Sequence, residues 1–232
     1  MDLVVPDFAE ARDHMVDSQL RPNRVVDPRL LAAMRTLPRE RFLPPRLRAL
    51  AYADEDIPLG AGRVLMEPMV FARLVQLLDL VEGERALVVA AGVGYGAAVL
   101  AACGARVTAL EEDRTLFALA GPVLAETAPN VVLAAGPLAA GWPAGAPYDV
   151  ILIEGAVQEI PPALGAQLRA DGGRLATVLL TTPGSTGRAP TGRAMGRAVL
   201  AEPTSGGLRA RPVFDCATPP LPSLLPRPGF VF

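Results

Sequence analysis

Two rhythms divide the chain. Over the first 60 residues apolar positions recur at helical spacing, and in VVDPRLLAAMRTLPRE the residues Leu30, Leu31 and Met34 share one face. Asp27 is placed to cap that helix, Pro28 takes its first position and Pro38 ends the run. From Glu84 the rhythm changes. RALVVAA, ARVTALEE, NVVLAAG, YDVILIEG and GRLATVLL are short runs rich in Val, Ile and Leu without polar alternation, as in strands covered on both faces. The stretches AAVLAAC, TLFALAGPVLAE and PPALGAQLRA between them suit helices, so the pattern predicts an α/β fold with a doubly wound, mostly parallel sheet. RAVLAEP and ARPVFDCAT read as an antiparallel pair closing its C-terminal edge. The segment Thr181 to Arg197, rich in Gly, Pro, Thr and Arg, reads as a mobile loop or hairpin tip, and the proline-rich end PPLPSLLPRPGFVF is unsuited to a central strand. The expected organisation is an N-terminal helical extension over residues 1–60 and one globular unit over residues 61–232.

The strand LVVAA runs into GVGYGAAVLA, a glycine-rich turn followed by a small-residue helix. Gly92 and Gly94 free the backbone to approach a ligand, and the helix N-terminus adds amide donors. Glu111 ends the next strand 19 residues after Gly92, near the offset of roughly 20 at which a carboxylate accepts ribose hydroxyls. Turn and acid together predict a nucleoside-bearing cofactor. GVGYGA also satisfies G-x-G-x-x-A, the pattern of dinucleotide-dependent oxidoreductases, although tight strand–helix packing without any ligand produces such turns too.

Composition narrows the chemistry. All basic residues are arginine, so Schiff-base lysines, a P-loop lysine and a Tyr-Lys reductase pair are excluded. The one histidine, His14, cannot build a multi-histidine metal site, and the two cysteines, Cys103 and Cys216, read as buried thiols. No metal is expected. The formal charge of −2 gives no basic field for nucleic acid. No apolar run is long enough to span a bilayer and the acidic start lacks the basic flank of a secretory signal, which makes the cytoplasm the expected compartment.

The blocks MVDSQL, AAMRTLPRERFLPP, AYADEDIPLGAGRVLMEPMVFARLVQLLDL, AGVGYGAAVLAACGARVTALEED, APYDVILIEGA and IPPALGAQLRADGGRL resemble, in order and spacing, those of the protein L-isoaspartate O-methyltransferases. The resemblance implies a Rossmann-like class I methyltransferase fold, S-adenosylmethionine as cofactor, and a peptide or protein substrate bearing an isomerised aspartyl carboxylate. It carries cofactor contacts onto Ala90, Gly92, Gly94, Tyr95, Glu111, Glu112, Pro137 and Leu138, with the Tyr95 ring expected on the cofactor in preference to the alternative of filling the strand–helix interface. The chemistry suits the inventory, because a carboxylate with pKa near 4 is ionised at neutral pH and needs no general base.

Several positions depart from the family pattern. The loop G-x-T-I-S-Q-P is here Gly62 to Pro68, with Met66 at the serine position and Glu67 at the glutamine, and these two stand as the candidate catalytic pair. The turn's acid and first glycine are Val88 and Ala90, and Gly-Asp after the third strand has become Gly136-Pro137-Leu138. Glu154 ends the fourth strand and is expected to line the substrate pocket, since ligands sit at the carboxyl ends of parallel strands. Ionised, it repels an anionic acceptor; desolvated, it takes up a proton. With Glu67 and Glu154 both ionised and facing the pocket, transfer to isoaspartyl peptides is expected to be slow or absent. The departures leave room for a weak or inactive relative that acts as a binding protein, or for a methyltransferase with a different acceptor.

Overall fold

The computed structural model describes residues 7–181 and 194–225. Helix α1, Phe8–Met15, is capped by Asp7 and runs into a π turn over Val16–Leu20. In α2, Pro28–Thr36, the Asp27 carboxylate accepts from the amides of Arg29 and Leu30, and Leu30, Leu31 and Met34 are buried. That is the predicted cap and face. A small hairpin follows, β1 (Ile57–Gly60) and β2 (Arg63–Leu65), before α3 at Pro68–Leu77. Its tip, Gly60, Ala61 and Gly62, is wholly at positive φ.

The main sheet starts with β3 (Arg85–Val89), α4 (Tyr95–Ala102), β4 (Arg106–Glu111), α5 (Arg114–Thr127) and β5 (Val132–Ala135). It continues with β6 (Val150–Val157), α6 (Pro162–Gly165), β7 (Arg174–Leu180), β8 (Ala194–Thr204) and β9 (Gly207–Thr218). Strand order is β5-β4-β3-β6-β7-β8-β9. The first five strands of that order pair in parallel, and β8 and β9 are antiparallel, as their sequence pattern predicted. The helix expected in PPALGAQLRA shortens to α6, between Pro162 and Gly165. Residues 182–193 of the predicted loop lie outside the described residues, and 194–197 belong to β8.

Val88 packs into a core shared with Met15, Leu74, Val99 and Leu100, so the N-terminal helices and α3 cover one face of the sheet. Leu87, Val89, Leu110, Ile151 and Ile153 fill the other. With both faces covered, the strands have no polar side, which is why they showed no alternation. Chain order reverses between β3 and β6, the switch point where open parallel sheets bind ligands at the strands' carboxyl ends.

Candidate functional site

After Val89 the backbone turns through Ala90, Gly92 and Gly94 at φ of 63°, 57° and 89°, and α4 begins at Tyr95. An alanine holds a left-handed conformation that favours glycine, at a cost of about 1 kcal/mol. The glycines serve different ends. A Cβ on Gly94 would meet Leu124 Cδ1 of α5 at 2.9 Å, so this residue admits the packing of α5 onto the turn. A Cβ on Gly92 would find no atom nearer than Leu59 Cδ1 at 3.8 Å, which leaves Gly92 as the open side of the turn.

Glu111, fully buried at the end of β4, reaches back to this turn. Its Oε2 accepts from Gly92 N at 2.7 Å and its Oε1 from the amides of Glu112 at 2.9 Å and Asp113 at 2.8 Å. Arg63, first residue of β2 and 6% exposed, adds two more donors: Nη1 to Oε1 at 2.9 Å and Nη2 to Oε2 at 3.0 Å. Nη2 also donates to Ala90 O at 2.7 Å. Arg63 stands at the variable position of the loop motif, so sequence reasoning passed over it. Sequence distance hid the pairing, since Arg63 and Glu111 lie 48 residues apart.

The neighbouring positions take different parts. Glu112 is exposed, and its Oε2 accepts from Leu138 N at 3.4 Å, linking the ends of β4 and β5. Pro137 is exposed, while Leu138 is buried in the second core.

Glu154 lies beyond Ile153, the last residue of β6 paired with β3, within an irregularity between Leu152 and Ala156. Its Oε1 fills the space beneath the first turn of α4 so closely that Gly96 could carry no Cβ. Burial pushes its carboxyl up to about 8, opposed by Arg63 and Arg39. At neutral pH Glu154 therefore carries a proton, and the expected repulsion of an anionic acceptor by an ionised Glu154 does not arise.

Tyr95, expected on the cofactor, points elsewhere. Its ring packs edge-on against Phe42 at 5.4 Å and against Phe71 at 5.8 Å, with the Arg39 guanidinium 4.7 Å from its centroid. It therefore fills the interface with the N-terminal segment. Arg39 is fully buried and donates to Ala51 O at 2.7 Å and Met66 O at 2.5 Å. Met66 is 2% exposed, so the serine position holds an apolar side chain whose carbonyl is occupied. Glu67 is buried, 6% exposed, and its amide donates to Asp56 Oδ1 at 2.9 Å. Cys103 and Cys216 are buried free thiols, both pushed up to about 11 by burial. No group of side chains suited to a metal ion exists among the described residues, nor does any helix there have the length and apolarity to cross a membrane.

The family model described as protein-L-isoaspartate(D-aspartate) O-methyltransferase matches residues 10–180. The chain is 44% identical over 168 residues to the protein-L-isoaspartate O-methyltransferase of Methylorubrum extorquens (strain PA1), covering 72% of this chain and 74% of the relative. It is 44% identical over 169 residues to protein-L-isoaspartate O-methyltransferase 1 of Rhodopseudomonas palustris (strain HaA2), covering 72% and 69%. Among solved structures, a protein-L-isoaspartate O-methyltransferase superposes with a TM-score of 0.76 at 22% identity, over 92% of this chain and 67% of that one. A putative protein-L-isoaspartate O-methyltransferase from Plasmodium falciparum, in complex with S-adenosyl-L-homocysteine, gives 0.72 at 15% identity, over 94% and 100%.

Proposed function

The chain belongs to the protein-L-isoaspartate(D-aspartate) O-methyltransferase family, and on that premise we propose that it methylates the free carboxylate of isoaspartyl residues in peptides or proteins. It is a methyltransferase whose cofactor is S-adenosylmethionine, which supplies a methyl group activated by its sulfonium. The observation carrying the reading is the family match over residues 10–180, a span that includes the turn at Gly92, the strand-end Glu111 and Glu154.

The chain's own residues have a limited task. An acceptor carboxylate is ionised at neutral pH, so no side chain need remove a proton, and catalysis rests on alignment and exclusion of water. The left-handed turn and the N-terminus of α4 suit a cofactor with a charged amino-acid end. Glu111 is the acceptor for ribose hydroxyls, and Arg63, which holds it, is the side chain that opposes this fit. A protonated Glu154 adds no negative charge of its own to repel an acceptor carboxylate.

Transfer of labelled methyl groups to an isoaspartyl peptide, beside its aspartyl control, tests the reading. Isoaspartyl-selective transfer is expected below pH 8 and should fall as Glu154 ionises above it. Transfer to both peptides alike would point to a different acceptor. Failure to bind either S-adenosylmethionine or S-adenosylhomocysteine would favour a non-catalytic descendant with a protein partner.

A further inference from the structure

A carboxylate has about four lone-pair sites. Glu111 already receives five donors: the amides of Gly92, Glu112 and Asp113 and both terminal nitrogens of Arg63. It therefore has no position left for a ribose. The three amides are fixed by the turn and by the end of β4, so only Arg63 can withdraw. Its fork occupies one position on each oxygen, the number and spacing that two adjacent hydroxyls need.

From this geometry we propose that Arg63 is a built-in occupant of the cofactor crevice, a cation that takes the place of the ribose diol on Glu111 and sets cofactor affinity by competing with it. The inference rests on the methyl-donor reading above. Both charges are buried and face each other, and a buried charge deprived of its partner is strongly disfavoured. Arg63 therefore stays on Glu111 until a ligand supplies replacement donors. The route out is short, because Arg63 directly follows the exposed hairpin tip at Gly60 to Gly62. Its bond to Ala90 O ties the same guanidinium to the turn, so withdrawal loosens turn and acid together.

The test is calorimetric titration of the full chain and its variants with S-adenosylhomocysteine, which needs no turnover. Arg63→Gln removes the competing charge and should tighten binding about tenfold or more, a fold-change equal to about 1.4 kcal/mol. Arg63→Lys keeps a cation without the two-pronged fork and should fall between the two. A second measurement needs no variant: in nuclear magnetic resonance spectra the Arg63 guanidinium signals, protected in the free protein, should shift and lose protection when S-adenosylhomocysteine saturates the site. Arg63→Gln binding no more tightly than the native chain, or guanidinium signals unchanged in the complex, would overturn the role of Arg63 and leave the methyl-donor site standing. No binding by the native chain or by either folded variant would overturn both.

Discussion

Replacing Glu154 by glutamine keeps its shape and removes its titration. Burial raises the carboxyl from 4.5 to about 8, so between those values the folded protein holds a proton that the unfolded chain has lost. The sign follows from linkage: where the native state binds more protons, stability falls as pH rises. The loss begins near pH 4.5 and levels off above pH 8. Integrating over that window gives a penalty on the order of 3 kcal/mol at pH 7 and 4 kcal/mol at pH 8. Glu154→Gln should therefore match the native protein near pH 4.5 and exceed it increasingly toward pH 8, with a melting temperature higher by roughly 10 °C at the top of the range. Urea unfolding at several pH values reads the difference directly. A variant whose advantage is the same at all pH values would show that Glu154 titrates normally and that its surroundings are wetter than its 8% exposure implies.

Ala90→Gly relieves a left-handed alanine and should stabilise the fold by about 1 kcal/mol, visible as a higher urea midpoint. Gly94→Ala should do the reverse by about 1–3 kcal/mol, since its Cβ meets Leu124 at 2.9 Å and its φ is 89°. Asp27→Ala removes both capping bonds of α2 and should cost about 1 kcal/mol by the same assay. The buried thiols of Cys103 and Cys216, pushed up to about 11, should resist alkylation at pH 8 until the chain unfolds, which mass spectrometry can follow.

What the sequence made legible depended on how local the cause was. The parallel strands showed themselves because both faces of Leu87, Val88 and Val89 are buried, and α2 because its cap and proline are adjacent to it. The β1–β2 hairpin stayed hidden: it is short, contains Pro58, and turns on three residues at positive φ. Tyr95 was expected on the cofactor because the family pattern has a tyrosine there, whereas Phe42 and Phe71, which pack on its ring, come from distant segments. Arg63 carried no signal of its own beside Gly62, because only the fold brings Glu111, 48 residues away, against it.

Taken singly, Ala90 and Glu154 look like losses from a working site, but the structure couples both to Arg63. Ala90 is held in an unfavourable conformation worth about 1 kcal/mol, yet its carbonyl accepts a charged hydrogen bond of about 1.5–3 kcal/mol from Arg63 Nη2. That bond is strong enough to offset the strain. Glu154 is held toward its ionised form chiefly by Arg63, with Arg39 second, so removing the Arg63 charge should raise the Glu154 carboxyl still further. Arg63 thus links the turn, Glu111 and Glu154 through one guanidinium. A ligand that draws it off Glu111 changes the charge seen by Glu154 in the same step, and cofactor occupancy and the proton on Glu154 must therefore be thermodynamically coupled.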